Sequence, residues 1–189
     1  MPAGRAFPLD LTPPRFAEGL ADWARGDGAG SCAGSCEDWP AVRLVHDDPD
    51  LGDCLELRMT GRAERLRYLG ETPLRPGAAI EVTLRLRAVA GPVPRARIAA
   101  WPGGRGGRVL AGLPTGGAFA PLPADGAPVE RRLVLARAPG PGVDLAWDGR
   151  ALFAHVGLEL AGAPGGVVRI ADLAARERAG PALPGFGAA

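Results

Sequence analysis

The chain has 189 residues, so one domain with a sizeable buried core is the default expectation. Apolar residues make up 47% and charged residues 23%, as in ordinary globular proteins, and a net charge of +1 gives no bulk attraction toward nucleic acid. No apolar run approaches the roughly 18 residues of a membrane-crossing helix, and the first residues lack the apolar core of a signal peptide, so neither membrane insertion nor secretory export is expected.

All 22 basic residues are arginine, and the 29 glycines and 20 prolines fall between regular apolar runs, where they punctuate short strands rather than signal disorder. A proline-rich arm, 1–15 ("MPAGRAFPLDLTPPR"), comes first. Phe16, Leu20 and Trp23 anchor the first element, and 26–34 is a glycine-rich loop. Strands are expected at 41–46 and 53–60. In the second, Leu55, Leu57 and Met59 face one way and Glu56, Arg58 and Thr60 the other, the signature of a half-buried strand. Leu66 and Tyr68 continue the pattern in 65–69, with Arg65 and Arg67 opposite. The turn "GETPLRPG" leads into the longest strand, 78–89, whose inner face is Ile80, Val82, Leu84 and Leu86 and whose outer face holds Glu81, Thr83, Arg85 and Arg87.

Further strands are expected at 95–101, 107–112, 129–137, 142–147, 151–160 and 166–174, with the glycine loop "WPGGRGGR" after the first of them. In 151–160, Leu152, Ala154, Val156, Leu158 and Leu160 share one face, and Phe153, His155 and Glu159 the other. The stretch 171–178 is the sole helical candidate. The tail, 179–189, is expected to be flexible or to dock on a partner. About ten short strands at spacings of 8 to 14 residues, without a fixed repeat, predict an all-β sandwich over 16–178; a jelly roll of eight to ten antiparallel strands fits that count.

Catalytic constellations are sparse. The glycine loops lack the phosphate-binding order, Ser31 and Ser35 lie on flexible chain, and His46 and His155 are the only histidines. No catalytic residue is therefore assigned. Glu56 and Glu81 pair more simply with arginines across strands than as an acid–base couple. Cys32, Cys36 and Cys54 are an odd set, which argues against a disulfide framework, although Cys32 and Cys36 are close enough in sequence to pair. With His46 they match no standard zinc spacing.

No cofactor is expected, with structural calcium as the one candidate. The acidic stretch 46–53 reads as a solvated turn or a source of calcium ligands, and Glu18 with Asp172, near the two chain ends, is a candidate calcium pair because sandwiches often bring first and last strands together. The most suggestive feature is an arginine face: Arg58, Arg65, Arg67, Arg85, Arg87 and Arg97 all take outward strand positions. It reads as a solvated surface, as a subunit interface, or as a site for carboxylated or sulfated sugars held by bidentate contacts.

The residues Phe16, Glu18, Gly19, Leu20 and Trp23, the turn 67–70 with 73–77, and the closing stretch 165–172 carry a resemblance that spans Phe16 to about Leu173. They resemble the jelly-roll module that precedes β-helix, pectate-lyase-like regions in alphaproteobacterial proteins. No β-helix follows here, so the chain is similar to the stand-alone form, the short head-spike proteins of gene transfer agents. The resemblance implies a non-enzymatic spike base on a phage-like particle, assembled in the cytoplasm and displayed on the particle surface. Its partners would be the capsid protein and a β-helix spike fibre that contacts capsular polysaccharide, with a homo-oligomeric ring of copies at a capsid vertex. The arm residues Phe7, Pro8, Leu9, Leu11, Pro13 and Pro14 would grip the capsid or a neighbouring copy, since proline-rich arms stay extended at low entropic cost.

The alternative is a carbohydrate-binding module that itself holds acidic polysaccharide, through Trp101, Tyr68 and the arginines Arg58, Arg67, Arg85 and Arg87. Trp101, and Trp39, are the natural sugar stackers among few aromatic residues. A third reading is a small polysaccharide lyase or hydrolase with Tyr68 or His155 as base.

Overall fold

The computed structural model describes residues 9–26, 34–37, 39–147 and 149–180; Phe7, Pro8, Cys32 and the tail past Gly180 lie outside them. The strands, in chain order, are β1 (Leu9–Asp10), β2 (Trp23–Gly26), β3 (Gly34–Ser35), β4 (Val42–Asp48), β5 (Gly52–Arg58), β6 (Ala63–Tyr68), β7 (Thr72–Pro73), β8 (Ala78–Ala90), β9 (Arg95–Gly103), β10 (Ala120–Pro121), β11 (Val129–Ala136), β12 (Leu145–Ala146), β13 (Phe153–Ala161), β14 (Val167–Ile170) and β15 (Ala174–Ala179). They exceed the eight to ten expected because several are two-residue pieces that pair at sheet edges.

The strands form two sheets. In the first, β8 is the spine. It pairs with β11 along one side, and on the other with β15 through its first half and β14 through its second; β5 and β4 continue beyond β14, and β1 beyond β15. In the second sheet the order is β10–β9–β13–β6–β2–β3. Alternation decides which side chains meet between the sheets: Ile80, Val82, Leu84 and Leu86 from β8 are buried against Ala154, Val156, Leu158 and Leu160 from β13 in one core. Phe16, Trp23 and Tyr68 close one end, with ring centroids 4.9 Å apart for Phe16–Trp23 and 5.5 Å for Trp23–Tyr68. Trp147, also in the core, donates its indole N–H to the Pro114 carbonyl at 2.7 Å.

Two expected elements differ. The strand expected at 107–112 is a loop that opens with a 3-10 turn at Arg105–Gly107, and the reason is local: Gly106, Gly107 and Gly112 all take φ near +75° and fold the chain back, so that the Leu110 N–H reaches the Pro102 carbonyl at 2.8 Å. The helical candidate 171–178 becomes strand β15, because its edge pairing with β8 satisfies backbone groups that an isolated short helix would leave open.

The described part of the arm is also turned inward. Leu9 and Asp10 pair with Glu177 and Arg176, the Leu11 N–H donates to the Ala175 carbonyl at 2.8 Å, and the Ala175 N–H donates to the Thr12 hydroxyl at 3.2 Å. Leu11 packs against the core, Pro13 is buried and Pro14 half-buried. Leu9, Leu11, Pro13 and Pro14 therefore cover the protein's own β15 edge instead of projecting toward a partner, because a bare strand edge needs a pairing segment. Deleting residues 1–14 is expected to destabilise the fold by about 2 kcal/mol, from the lost burial of Leu11 and its neighbours, which for a domain of this size lowers Tm by roughly 4–8 °C. A melting curve that superimposes on that of the full chain would show that the arm is not part of the sandwich.

Candidate functional site

The arginines of the sequence divide between the two sheets. Arg58, Arg85 and Arg87 lie on the outward face of the first sheet; Arg65, Arg67, Arg97 and Trp101 lie on the outward face of the second. The single arginine face expected from the sequence is thus two faces on opposite sides of the sandwich.

On the first sheet, register places Arg43, Glu56, Arg169 and Arg87 side by side across β4, β5, β14 and β8. Asp48 completes the row from above. A register shift after Val45, with Asp47 in the left-handed region (φ 55°), swings Asp48 over the guanidinium groups. Its Oδ2 accepts from Arg87 at 2.7 Å and Arg169 at 2.8 Å, and its Oδ1 from the backbone N–H groups of Asp50 and Leu51 at 3.0 Å each. Burial alone would raise the Asp48 carboxyl; the hydrogen bonds from Arg169, Arg87 and the backbone outweigh it and hold that carboxyl far below the usual range. Arg43 beside Glu56, against the opposing pull of burial and with help from Arg169, lowers the Glu56 carboxyl as well. Arg85 donates to the Asp50 carbonyl at 2.9 Å, and Arg58 is exposed. The acidic turn expected to be solvated is therefore centred on a buried carboxylate, and Arg87 is a strut of the sheet.

The second face is built differently. Arg65, Glu159 and Arg97 stand in one row across β6, β13 and β9. Glu159 accepts from Arg65 at 2.9 and 2.7 Å on one oxygen and from Arg97 at 2.7 Å on the other. Both carboxylate oxygens are thus occupied, and the side chains of Arg65 and Glu159 are only 9% and 8% exposed. Arg97 also donates to the Gly117 carbonyl at 3.0 Å and lies 4.5 Å from the Phe119 ring centroid, clasping the segment before β10 to the sheet edge.

Two rows along, Trp101 sits opposite His155. The neighbouring outward position on β13 is Gly157, where an added Cβ would collide with the Leu66 carbonyl. With no side chain between them, the Trp101 indole reaches across β13 to the arginines of β6: Arg65 lies 5.0 Å and Arg67 5.9 Å from its ring. Trp101 is consequently 5% exposed, a floor beneath arginines instead of an open stacking platform, and Trp39 is buried too. Tyr68 points to the core side against Trp23, and burial raises its phenol. His155 donates its Nδ1–H to the Gly70 carbonyl at 3.1 Å, and burial lowers its pKa.

Two depressions adjoin at the start of β6. One, of about 290 Å³, lies among Ala63, Arg65, Glu159, Arg97, Thr115 and Phe119. The other, of about 270 Å³, lies among Arg25, Thr60, Gly61, Arg62 and Glu64. They share Ala63 and Glu64 as lining, but register puts Arg25, opposite Leu66, and Glu64, opposite Leu160, on the inner side of the sheet, so the trough leads from the outward Arg65–Arg97 row round the start of β6 to Arg25. Sequence reasoning missed Arg25, Arg62, Thr115 and Phe119 as parts of one site: Arg62, Thr115 and Phe119 lie in turns and loops without alternation, and Arg25 lies in a four-residue strand too short to show it.

The candidate metal sets are not assembled among the described residues. Both oxygens of Asp172 are engaged, one accepting the Phe16 N–H at 2.8 Å and the other Arg15 at 3.0 Å, while Glu18 is exposed. The chain ends do meet, as expected, but Arg15 occupies the place proposed for a cation. Cys36 lies in the core, Cys54 on the outward face of β5, and His46 is exposed beside Asp53 at 3.3 Å.

No known family pattern and no curated protein sequence matches the chain. Solved structures do. The xylan-binding CBM22-1 domain of Paenibacillus barcinonensis Xyn10C matches with a TM-score of 0.54 and 10% identity, over 88% of this chain and 93% of that one. The CBM22-1–GH10 modules of Clostridium thermocellum Xyn10B, complexed with xylohexaose, match with a TM-score of 0.59 and 7% identity, over 93% of this chain and 30% of that one. The enzymatically active domain of tailspike protein 4 from bacteriophage CBA120 matches with a TM-score of 0.53 and 13% identity over 84% of this chain, which spans only 20% of the tailspike's length. At such identities the likeness speaks to architecture alone: the chain is an all-β, jelly-roll sandwich of the kind seen in carbohydrate-binding modules and in part of a phage tailspike.

Proposed function

We propose that the protein is a non-enzymatic polysaccharide-binding module that holds a glycan chain in the trough across β9, β13, β6 and β2. The observation that carries this reading is the trough itself: two adjoining depressions that meet at Ala63 and Glu64, one walled by Arg65 and Arg97, which Glu159 locks in place, and the other by Arg25 and Arg62. A sugar chain needs an elongated site with donors held ready, and Arg65 and Arg97 lose little freedom on binding because Glu159 has already ordered them. Xylan-binding modules with the same architecture support the reading. The non-enzymatic part rests on the state of the titratable groups. Glu56 is held ionised by Arg43 and Arg169, His155 is committed to Gly70, and Tyr68 faces the core, so none is placed to exchange a proton with a ligand in the trough.

The finer proposal is that this module is the base of a head spike on a phage-like gene transfer agent particle. It would be seated as a homo-oligomer on the capsid protein at a vertex and carry a β-helix fibre toward cell-surface polysaccharide. The tailspike likeness, in which a unit of this size is a fifth of a larger protein, supports it. Since residues 9–14 are used internally, capsid contact falls to residues 1–8, the tail or another face. Affinity electrophoresis through gels carrying xylan, galactan, alginate or capsular polysaccharide tests the module reading. Retardation by at least one glycan is expected, and unaltered migration in all of them overturns it. Release of unsaturated uronate absorbance from any of these glycans overturns the non-enzymatic part. Particle images with and without the protein test the spike.

A further inference from the structure

We propose that the glycan held in the trough is anionic, carrying uronate carboxylates or sulfate esters, and that Arg25 and Arg62 read those groups. The inference rests on the module reading above and names its ligand class. Two carboxylates line the trough, against four arginines. Glu159 is shared between Arg65 and Arg97. Glu64 is turned into its own turn, where Oε1 accepts from the Thr60 N–H at 2.6 Å, the Thr60 hydroxyl at 2.7 Å and the Gly61 N–H at 2.9 Å. The Glu64 donors are neutral, so its charge stays, and the depression sets two guanidinium groups, Arg25 and Arg62, against this one carboxylate.

Arg25 and Arg62 line the depression nearest that turn, and neither has a carboxylate partner among the described residues. The Arg25 guanidinium lies 5.6 Å from the Trp39 ring centroid, a cation–π contact that itself uses none of its N–H groups. Arg62 is exposed at the rim. A neutral sugar offers these forks only hydroxyl groups, whereas a carboxylate or sulfate offers paired oxygens that match guanidinium geometry and charge. The other sheet face is a contrast: Arg43, Arg87 and Arg169 are there matched by Glu56, Asp48 and Asp50, so its chief cations are already neutralised.

Isothermal titration of the full chain with a galacturonate oligomer, a sulfated glycan and neutral xylohexaose tests this, at low and at physiological salt. Binding to at least one anionic glycan is expected to be roughly tenfold tighter than to xylohexaose, as suits hydrogen bonds to charged groups, and to weaken as salt rises. The anion that binds identifies the group. Arg62→Glu and Arg25→Ala are each expected to lower that affinity by about tenfold, while Arg58→Glu, on the opposite sheet, leaves it unchanged. Arg62 sits exposed in a turn without an acid partner, so its replacement should not disturb folding, and matching melting curves check that. If Arg25→Ala melts early, Arg62→Glu decides alone. Equal binding of neutral and anionic glycans, or full affinity in Arg62→Glu, overturns the ligand class and leaves the module reading standing. Loss of binding in Arg58→Glu moves the site to the other sheet and overturns the proposal as well. No binding to any glycan overturns both.

Discussion

Replacing Glu159 with Ala is expected to destabilise the protein by about 3–5 kcal/mol, the range seen when one partner of a buried ion pair is removed. The size follows from geometry. One carboxylate, 8% exposed, serves two guanidinium groups, and its loss leaves Arg65, 9% exposed, with an uncompensated charge between strands. A loss of that size corresponds to a Tm drop of roughly 6–20 °C in a domain of this length. Arg97 would also be freed from the sheet, loosening the Phe119 segment that borders the trough, so glycan affinity should fall together with stability. A volume-matched apolar pair, Arg65→Met with Glu159→Leu, separates the two effects. It is expected to recover much of the stability, because no charge stays buried, and to leave binding impaired. Chemical denaturation checks the first part and titration with a bound glycan the second. A stability loss in Glu159→Ala below about 1 kcal/mol, the level of an ordinary exposed pair, would mean that the row is solvated.

Asp48→Ala should have an effect of the same order, about 3–5 kcal/mol, on the opposite sheet. The Asp48 side chain has no exposed surface and accepts four hydrogen bonds, two from arginines and two from backbone N–H groups, which together tie β4, β14 and β8. Removing it leaves Arg87 and Arg169 facing each other without that carboxylate. Asp48→Asn keeps an acceptor for the Asp50 and Leu51 N–H groups but not the charge, so it should fall between wild type and Ala. The same group predicts an acid limit. The Asp48 carboxyl in the folded protein titrates well below its ordinary value of 3.8, so the unfolded chain binds its proton first as pH falls. The stabilisation from Asp48 is therefore complete at neutral pH, declines as pH drops below about 4, and is lost at strongly acid pH. Denaturation midpoints across that range should fall more steeply for wild type than for Asp48→Asn. Parallel profiles would sink the assignment.

Strand alternation made much of the fold legible. The inner face Ile80 to Leu86, the inner face Ala154 to Leu160, and the opposition of Leu55 and Leu57 to Glu56 and Arg58 all stand as alternation reads them, because a period of two is a property of the local backbone. The misread elements are those in which local signals compete with remote partners. The segment 171–178 has helix-forming residues but lies beside an unpaired stretch of β8, and the pairing decides its state. The segment 107–112 looks extended by composition, and its glycines turn it back.

The candidate site was legible only in fragments. Arg65, Arg97 and Glu159 were each placed outward by alternation, but their meeting depends on β6, β13 and β9 being neighbours. Arg58, Arg85 and Arg87 share their outward character and stand on the other side of the molecule. Trp101 was chosen for its position beside a glycine loop, and it is buried because Gly157, on another strand, lets the indole lie down under Arg65 and Arg67. By itself, then, the sequence determined the class of fold and which side of each strand faces oil, since both follow from residue-by-residue periodicity. Only the tertiary structure decided which charges cancel and which stay free. Ion pairs form between residues separated by 13 positions for Arg43–Glu56 and by 121 for Asp48–Arg169, and strand order, which no local pattern encodes, brings such residues within hydrogen-bond reach.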